Sequence, residues 1–197
     1  MKIAVLGTRR PVTTQLYLAA VVAKEFSGKG FDIFTGGSRG VDQSVMMNCK
    51  EPKLNVVIPW LSYAQDMLPS HANIYLYDEF RDPAWRDAVF AFHPNPSVLS
   101  KGAIAIHACT YGAVVGSELL VAFPQSGGNG ATAIAIKMAT YYDIPVIPIE
   151  PESAISKGEL MALCIERLRE QSQRREYEWN SVQSNSKSIV HGDNEEW

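Results

Sequence analysis

The sequence predicts an α/β fold, a Rossmann-like, mostly parallel sheet with helices on both faces. Short apolar segments alternate with segments of helical spacing along the chain, which is the pattern of β-α-β units. The apolar segments lack polar alternation, so we expect strands that are buried on both faces. Two of them run directly into glycine-rich turns, at 36–42 and 124–132, and a helix-compatible segment follows each turn.

The first half of the chain is predicted to contain three strands and two helices. The strands are short apolar runs, at 2–6, 31–35 and 55–59. The helices have apolar residues at helical spacing, at 16–26 and 41–49. This order places the first glycine turn between the second strand and the second helix.

The second half is predicted to continue the alternation. Strands are expected at 74–77, 118–123 and 144–149, and helices at 83–92, 98–115, 131–142 and 156–174. The prolines of the last strand place it at an edge or a strand end. From residue 180 onwards the chain is polar and acidic with little to bury. We therefore predict one domain over 1–175 and a flexible tail over 176–197.

Composition and charge restrict the function classes. The chain has 197 residues, 46% of them hydrophobic and 20% charged, which is ordinary for one globular domain. Its net charge of −3 gives no general attraction to a polyanion, so nucleic-acid binding is not expected. The three cysteines lie far apart, which favours reduced thiols. We expect no membrane span and a cytoplasmic protein, in the host cytoplasm if it is viral.

The first glycine turn is a candidate ligand site. Gly36 and Gly37 end the second strand, Ser38 and Arg39 follow, and Asp42 lies in the first turn of the next helix. Because an arginine here has little core to cover, we expect its planar guanidinium to bind phosphate. The aspartate would cap the helix or accept a ribose hydroxyl. A purely structural turn is the alternative.

The end of the first strand supplies a second group of candidates, Gly7, Thr8 and Arg9. In open α/β sheets, ligands bind at the carboxyl ends of the strands. Of the two consecutive arginines that follow Thr8, we expect the first to contact the ligand and the second to be solvated.

The second glycine turn is predicted to bind a phosphate through backbone amides and hydroxyl groups. Its candidate residues are Ser126, Gly127, Gly128, Asn129, Gly130 and Thr132. Neither the G-x-G-x-x-G pattern nor the lysine-serine end of a P-loop is present. Glu118, at the head of its strand, is a further candidate for a ribose hydroxyl, or it simply begins the strand in solvent.

The remaining polar residues suggest no catalytic group. His107 and Cys109 are two positions apart, so on a helix they point to different faces. Trp60 and Tyr63 follow the third strand and either stack on a base or pack locally. We predict no catalytic residue, no metal site and no resident cofactor.

With these motifs, residues 1–150 resemble the SLOG superfamily of Rossmann-like proteins, which includes the Lonely Guy phosphoribohydrolases and the DNA-processing protein A family. The resemblance rests on Val5-Leu-Gly-Thr-Arg-Arg10, Thr35-Gly-Gly-Ser-Arg-Gly-Val-Asp42, and Leu120-Val-Ala-Phe-Pro with Gly127-Gly-Asn-Gly-Ala-Thr132. Lonely Guy enzymes carry P-G-G-x-G-T-x-x-E with a catalytic glutamate. Matching by the threonine places Ala135 there, and matching by the glycines places Ala133 or Ile134 there.

The resemblance implies a binding protein that lacks this hydrolase glutamate. Our first hypothesis is a sensor or sequestering protein that holds a nucleotide or nucleotide-derived signal, ADP-ribose-like or cyclic, without turnover. The alternative is a nucleotide N-glycosidase or phosphoribohydrolase that uses Glu118 or Asp42. A further alternative is a single-stranded DNA-binding protein. A homo-oligomer is expected, because SLOG relatives commonly pair and because the alanine-rich segment 98–115 has few charges to face water, so that it needs either a partner or a deep core position.

Overall fold

A computed structural model describes residues 1–77, 84–128 and 130–190, without the side chains of residues 84–86 and 181–190. The predicted site residue Asn129, the start of the helix predicted at 83–92, and residues 191–197 of the predicted tail lie outside the described residues.

Six parallel strands form a single sheet. They are β1 (Lys2–Gly7), β2 (Asp32–Gly36), β3 (Leu54–Ile58), β4 (Asn73–Leu76), β5 (Leu119–Phe123) and β6 (Val146–Pro148). Their order is β4-β3-β2-β1-β5-β6. In register, Ile3 pairs with Ile33 of β2 on one side and with Leu119 of β5 on the other. The predicted fold class is confirmed.

Helices cover both faces of the sheet. The described α-helices are α1 (Thr13–Gly28), α2 (Val41–Asn48), α3 (Ala84–Phe92), α4 (Lys101–Val114), α5 (Ala131–Tyr141) and α6 (Lys157–Val190), with a 3-10 turn at Pro96–Val98. Helices α1, α2 and α6 pack with the sheet in one apolar cluster, and α3, α4 and α5 pack with it in the other. None of the described helices is long and apolar enough to cross a membrane.

The strand residues alternate between the two clusters. Ile3 and Val5 belong to the cluster with α1, whereas Ala4 and Leu6 belong to the cluster with α4. Strands β3 and β5 are buried at every position. This two-sided burial is the physical reason why the strands read as continuous apolar runs.

Helix α6 extends beyond the predicted domain end. The sequence predicted a helix at 156–174 and a flexible tail from 176, whereas the structure continues the helix to Val190. No glycine or proline interrupts it after Gly158, and Arg174 forms ion pairs with Glu178 and Asp143. These contacts and the absence of a helix breaker account for the difference.

The topology fixes where a ligand can bind. From β1 the chain builds β2, β3 and β4 outwards on one side, and it then crosses to β5 and β6 on the other. The connections that follow β1 and β5 therefore leave the sheet in opposite directions at neighbouring carboxyl ends. Such a switch point opens a crevice.

Candidate functional site

A cavity of about 700 Å³ lies at this crevice. Its walls are the loops after β1, β2, β3 and β5 together with helices α4 and α5. The volume lies within the ordinary range for a small-molecule site. We refer to this cavity as the cleft.

Asp42 ties two of these loops together. Its carboxylate accepts hydrogen bonds from the backbone N–H groups of Gly7 and Ser38, both at 3.3 Å. Burial raises the pKa of this carboxyl to about 7, although these hydrogen bonds and nearby Arg9 act in the opposite direction. The side chain lines the cleft, but both of its oxygens already serve the protein backbone. Its role in this geometry is to position the loops.

The first glycine turn supports the loop that follows β1. A Cβ on Gly40, which has a φ of 83°, would lie 2.5 Å from the carbonyl oxygen of Thr8. That same oxygen accepts the N–H of Val41 at 3.2 Å. The start of α2 is therefore occupied by a protein carbonyl. Gly36 and Gly37 line the cleft, but close packing against the protein itself accounts for the glycines of this turn.

The second glycine turn leaves the start of α5 open. Gly127, Gly128 and Gly130 have φ values of 86°, 64° and 90°, a region that L side chains rarely adopt. No described side chain caps α5, and its first turn contains no acidic residue. Because the first amides of a helix lack intrahelical acceptors, this end can bind an anion.

Most of the predicted residues of this turn line the cleft. Gly128, Gly130 and the buried Thr132 are part of its wall. Ser126 and Gly127 are not, and the Ser126 hydroxyl instead donates to Glu152 at 3.1 Å. Of the second glycine turn, only the last residues and the first turn of α5 are therefore placed to contact a ligand in the cleft.

The described charges of the cleft are mainly positive. Arg9, Arg10 and Lys137 line it, and Asp42 is the only acidic residue among the described lining residues. None of the three basic side chains forms an ion pair with a described residue. Arg9, Arg10 and Lys137 therefore share the cleft wall with the start of α5, and this local positive charge favours an anion although the net charge of the chain is −3.

The loop after β3 contributes an aromatic side chain. The Tyr63 hydroxyl lies 3.1 Å from the Ser38 hydroxyl and receives a long hydrogen bond from Arg9 at 3.4 Å. The neighbouring ring of Trp60 contacts Tyr63 edge-on at 5.3 Å between centroids. Of the two aromatic candidates, only Tyr63 is part of the cleft wall.

Helix α4 forms the remaining wall with Ile106, His107, Cys109 and Thr110. Burial and the nearby His93 lower the pKa of His107, and burial raises the pKa of the Cys109 thiol. Cys109 therefore stays a thiol, as the sequence indicated. Among the residues described, no cluster of three or more metal-ligating side chains occurs.

Two predicted ligand contacts lie elsewhere. Arg39 points away from the cleft, with an exposed side chain that pairs with Asp66 at 3.3 Å. Glu118 precedes β5, at the amino edge of the sheet. There it accepts hydrogen bonds from the backbone N–H of Lys2 and from Arg175, the latter at 2.9 Å. The structure does not bring Glu118 to the cleft, because the amino and carboxyl ends of a parallel sheet are opposite edges.

The sequence did not single out Arg10, Lys137 or His93 as ligand contacts. Lys137 lies two helical turns after the second glycine turn, and this spacing on α5 could have predicted that it faces the same ligand site. Arg10 was assigned to solvent beside Arg9, although the loop directs both to the cleft. His93 reaches the cleft through the loop between α3 and α4, and no sequence spacing predicts this.

Solved structures with similar folds were found by comparison. DNA processing protein A from Helicobacter pylori, described for its single-stranded DNA binding, has a TM-score of 0.55 at 19% identity over 85% of this chain and 73% of that one. The molybdenum cofactor carrier protein from Chlamydomonas reinhardtii has a TM-score of 0.56 at 19% identity over 86% and 98%. The molybdenum cofactor binding protein from Rippkaea orientalis has a TM-score of 0.52 at 17% identity over 85% of each chain.

This chain has the Rossmann-like fold of these proteins. The resemblance predicted from the glycine motifs is confirmed at the level of the fold. No protein-family model matches the sequence, and no curated protein sequence matches it.

Proposed function

We propose that this protein binds a phosphate-bearing, nucleotide-derived small molecule in the cleft and holds it without turnover, as a sensor or a sequestering protein. The observation that carries the proposal is the uncapped start of α5, which opens into a cavity lined by three unpaired cations. Backbone amides and the helix dipole favour a phosphate there, and the cations neutralise its charge.

The cleft also has room for the rest of a nucleotide. Ile106, Pro94 and Tyr63 give it apolar and aromatic surface beside the polar groups. A small number of polar contacts on a mostly apolar wall is the usual design of a ligand site. The ligand class therefore combines one or more phosphates with a planar ring.

Binding without turnover is supported by the positions and the hydrogen bonds of the acidic residues. The glutamate of the Lonely Guy signature has no counterpart near Thr132, and Glu118 lies at the opposite edge of the sheet. Asp42 is the acid in the described wall, and it accepts two backbone hydrogen bonds. An acid that holds the loops in place is poorly suited to move a proton during catalysis.

Calorimetric titration with a panel of mononucleotides, ADP-ribose and cyclic nucleotides tests the proposal. The molybdenum cofactor, which two of the proteins of similar fold carry or bind, is titrated separately. We expect at least one phosphorylated ring compound to bind more tightly than 1 mM. Arg9→Ala should weaken that binding by about 1.5–3 kcal/mol, the loss of one charge-assisted hydrogen bond.

Arg39→Ala is the matched control. Arg39 has the same side chain on a neighbouring loop, but it lies outside the cleft wall and pairs with Asp66. We expect it to leave affinity unchanged. Equal losses in both variants, or no binding across the panel, would contradict the proposed site.

An enzymatic alternative is favoured by one observation, the pKa of about 7 of the buried Asp42 carboxyl. A carboxyl with such a pKa beside a cleft is suited to general acid-base work at neutral pH. Incubation with nucleoside monophosphates and chromatography for free base tests this function. Base release that is abolished by Asp42→Asn, in a variant that still binds the ligand, would establish the N-glycosidase instead.

A further inference from the structure

His93 is oriented by its own loop. Its Nδ1 accepts the backbone N–H of Asn95 at 3.1 Å. A nitrogen that accepts a hydrogen bond carries no hydrogen, so the N–H group of the ring is at Nε2. His93 therefore presents a hydrogen-bond donor to its surroundings, and it lines the cleft.

His107 lies beside it on α4. The two rings are tilted by 59° with their centroids 5.2 Å apart. His107 is about nine-tenths buried and lines the cleft, and its Nδ1 has no hydrogen-bond partner among the described residues. Because that nitrogen has almost no accessible surface, the part of His107 that a ligand can contact is the rest of the ring.

This pair lies apart from the cations of the cleft. Arg9 and Arg10 belong to the loop after β1, and Lys137 belongs to α5, whereas the histidines come from α4 and the loop before it. Pro94 and Ile106 flank the pair in the same wall. Two flat rings with apolar neighbours suit a heterocycle better than they suit a phosphate.

We propose that His93 and His107 bind the heterocycle of the ligand, and that His93 selects a purine with an oxo group at ring position 6 over one with an amino group. This inference rests on the proposed function, because it needs the phosphate to bind at the start of α5. The inference extends the proposed function by specifying which class of ring the ligand contains.

The selection follows from donor and acceptor chemistry. We place His93 Nε2–H opposite ring position 6. There a 6-oxo purine presents an acceptor oxygen beside the acceptor N7, whereas a 6-amino purine keeps N7 but presents a donor. With the amino group the two N–H groups face each other, and the ring must shift towards N7 to regain a hydrogen bond, so it binds more weakly.

Inosine monophosphate and adenosine monophosphate test the inference, since they share sugar and phosphate and differ at the ring edge. In calorimetric titrations we expect the inosine nucleotide to bind the wild-type protein at least tenfold more tightly. His93→Phe keeps a flat ring against His107 but removes the donor, and it should bring the two affinities to within about twofold.

His71→Phe is the matched control. His71 pairs with Glu51 and does not line the cleft, so this variant should keep the preference. Thermal unfolding shows whether each variant is folded. If His93→Phe fails to fold, the test instead uses the wild-type protein with purine riboside monophosphate, which has hydrogen at ring position 6. In the wild-type protein it should bind more weakly than the inosine nucleotide.

The failures of the two proposals are distinguishable. Equal affinity for the inosine and adenosine nucleotides, with binding that still depends on Arg9, would overturn the ring selection and leave the phosphate site intact. A preference that persists in His93→Phe would also overturn it. No binding of either nucleotide would overturn the ring selection, whereas the proposed function fails only if no compound of the whole panel binds.

Discussion

Asp42 is the residue on which the geometry of the cleft wall depends. One carboxylate joins the backbone after β1 to the backbone after β2, although burial of its charge opposes ionisation. A neutral side chain of the same shape tests this role. At pH 5 a carboxyl with a pKa of about 7 is protonated, but each of its two oxygens still has a lone pair for one N–H group. Asp42→Asn keeps only one acceptor oxygen, so one buried N–H loses its partner at a cost of about 1–3 kcal/mol.

The cost of Asp42→Asn should depend on pH. The pKa of Asp42 is raised from 3.8 to about 7 in the folded protein, so between these values the folded state binds the proton more tightly than the unfolded chain. The stability that Asp42 contributes is therefore greatest near pH 4 and falls as the pH rises to about 7. We expect the difference in unfolding free energy between wild type and variant to shrink from pH 5 to pH 8.

Urea denaturation at pH 5, 6, 7 and 8 measures that difference. Asp66→Asn is the control, because Asp66 is an exposed carboxylate outside the cleft. It should change stability by less than about 0.5 kcal/mol throughout. A difference for Asp42→Asn that stays constant, or grows with pH, would show that the carboxyl is not held in the buried environment described here.

Single residues also show what the sequence could predict of the site. Arg9 and Thr132 were predictable, because they directly follow a buried strand or a glycine turn, and strand ends mark the ligand edge. The position of Arg39 was not predictable, because its exposed side chain pairs with Asp66, 27 positions away, and does not line the cleft. The distance of Glu118 from the cleft follows from its place before, rather than after, its strand.

At the level of elements, the turn before α5 is the anion site that we propose. Gly130 has φ 90° and ψ −172°, a conformation that is essentially restricted to glycine. Gly130→Ala should lower stability by about 1–3 kcal/mol. It should also weaken ligand binding at least tenfold, since the turn must shift and the amides of α5 move with it. Calorimetry and thermal unfolding of the same samples measure both effects.

Gly116→Ala separates the two effects. Gly116 has a φ of 75° and nothing within 4 Å of an added Cβ, but it lies between α4 and β5, at the amino edge of the sheet. Its replacement should lower stability to a similar degree and leave affinity unchanged. If both variants lost affinity equally, the effect would come from general destabilisation and the role of the α5 start would be refuted.

Elements differ in how far the sequence predicts them. The strands were predictable because burial on both faces leaves a continuous apolar run. Helices α1, α2 and α5 were predictable because burial on one face leaves apolar residues at helical spacing. The end of α6 was not. Beyond Leu168 the helix has little apolar pattern and continues through ion pairs, of which Arg175 with Glu118 spans 57 positions of the sequence. Such pairs exist only once the sheet has formed.

For the molecule as a whole, self-association stays a prediction of the family resemblance. The low charge of the alanine-rich segment 98–115 does not require a partner, because helix α4 packs within the core against α3, α5 and the sheet. Light scattering after size exclusion measures the mass. The resemblance leads us to expect at least a dimer, and a mass near 21.7 kDa would contradict it.

The charge distribution of the whole molecule separates a nucleotide site from a single-stranded DNA groove. The net charge is −3, and the described cations of the cleft are Arg9, Arg10 and Lys137. Three cations neutralise at most about three phosphates, and each phosphate of a single strand contributes about 0.7 to the salt dependence of binding. We therefore expect log K to fall against log salt with a slope no steeper than about −2.

Fluorescence anisotropy with thymidine oligonucleotides of four and twenty residues, at several salt concentrations, measures this slope. A closed cleft holds the same few phosphates of either oligonucleotide, so the slope should not steepen with length. A groove that tracks the backbone would collect more phosphates from the longer strand, and its slope would steepen. That result would favour a single-stranded DNA-binding protein, because the −3 chain would then have to present a basic path outside the cleft.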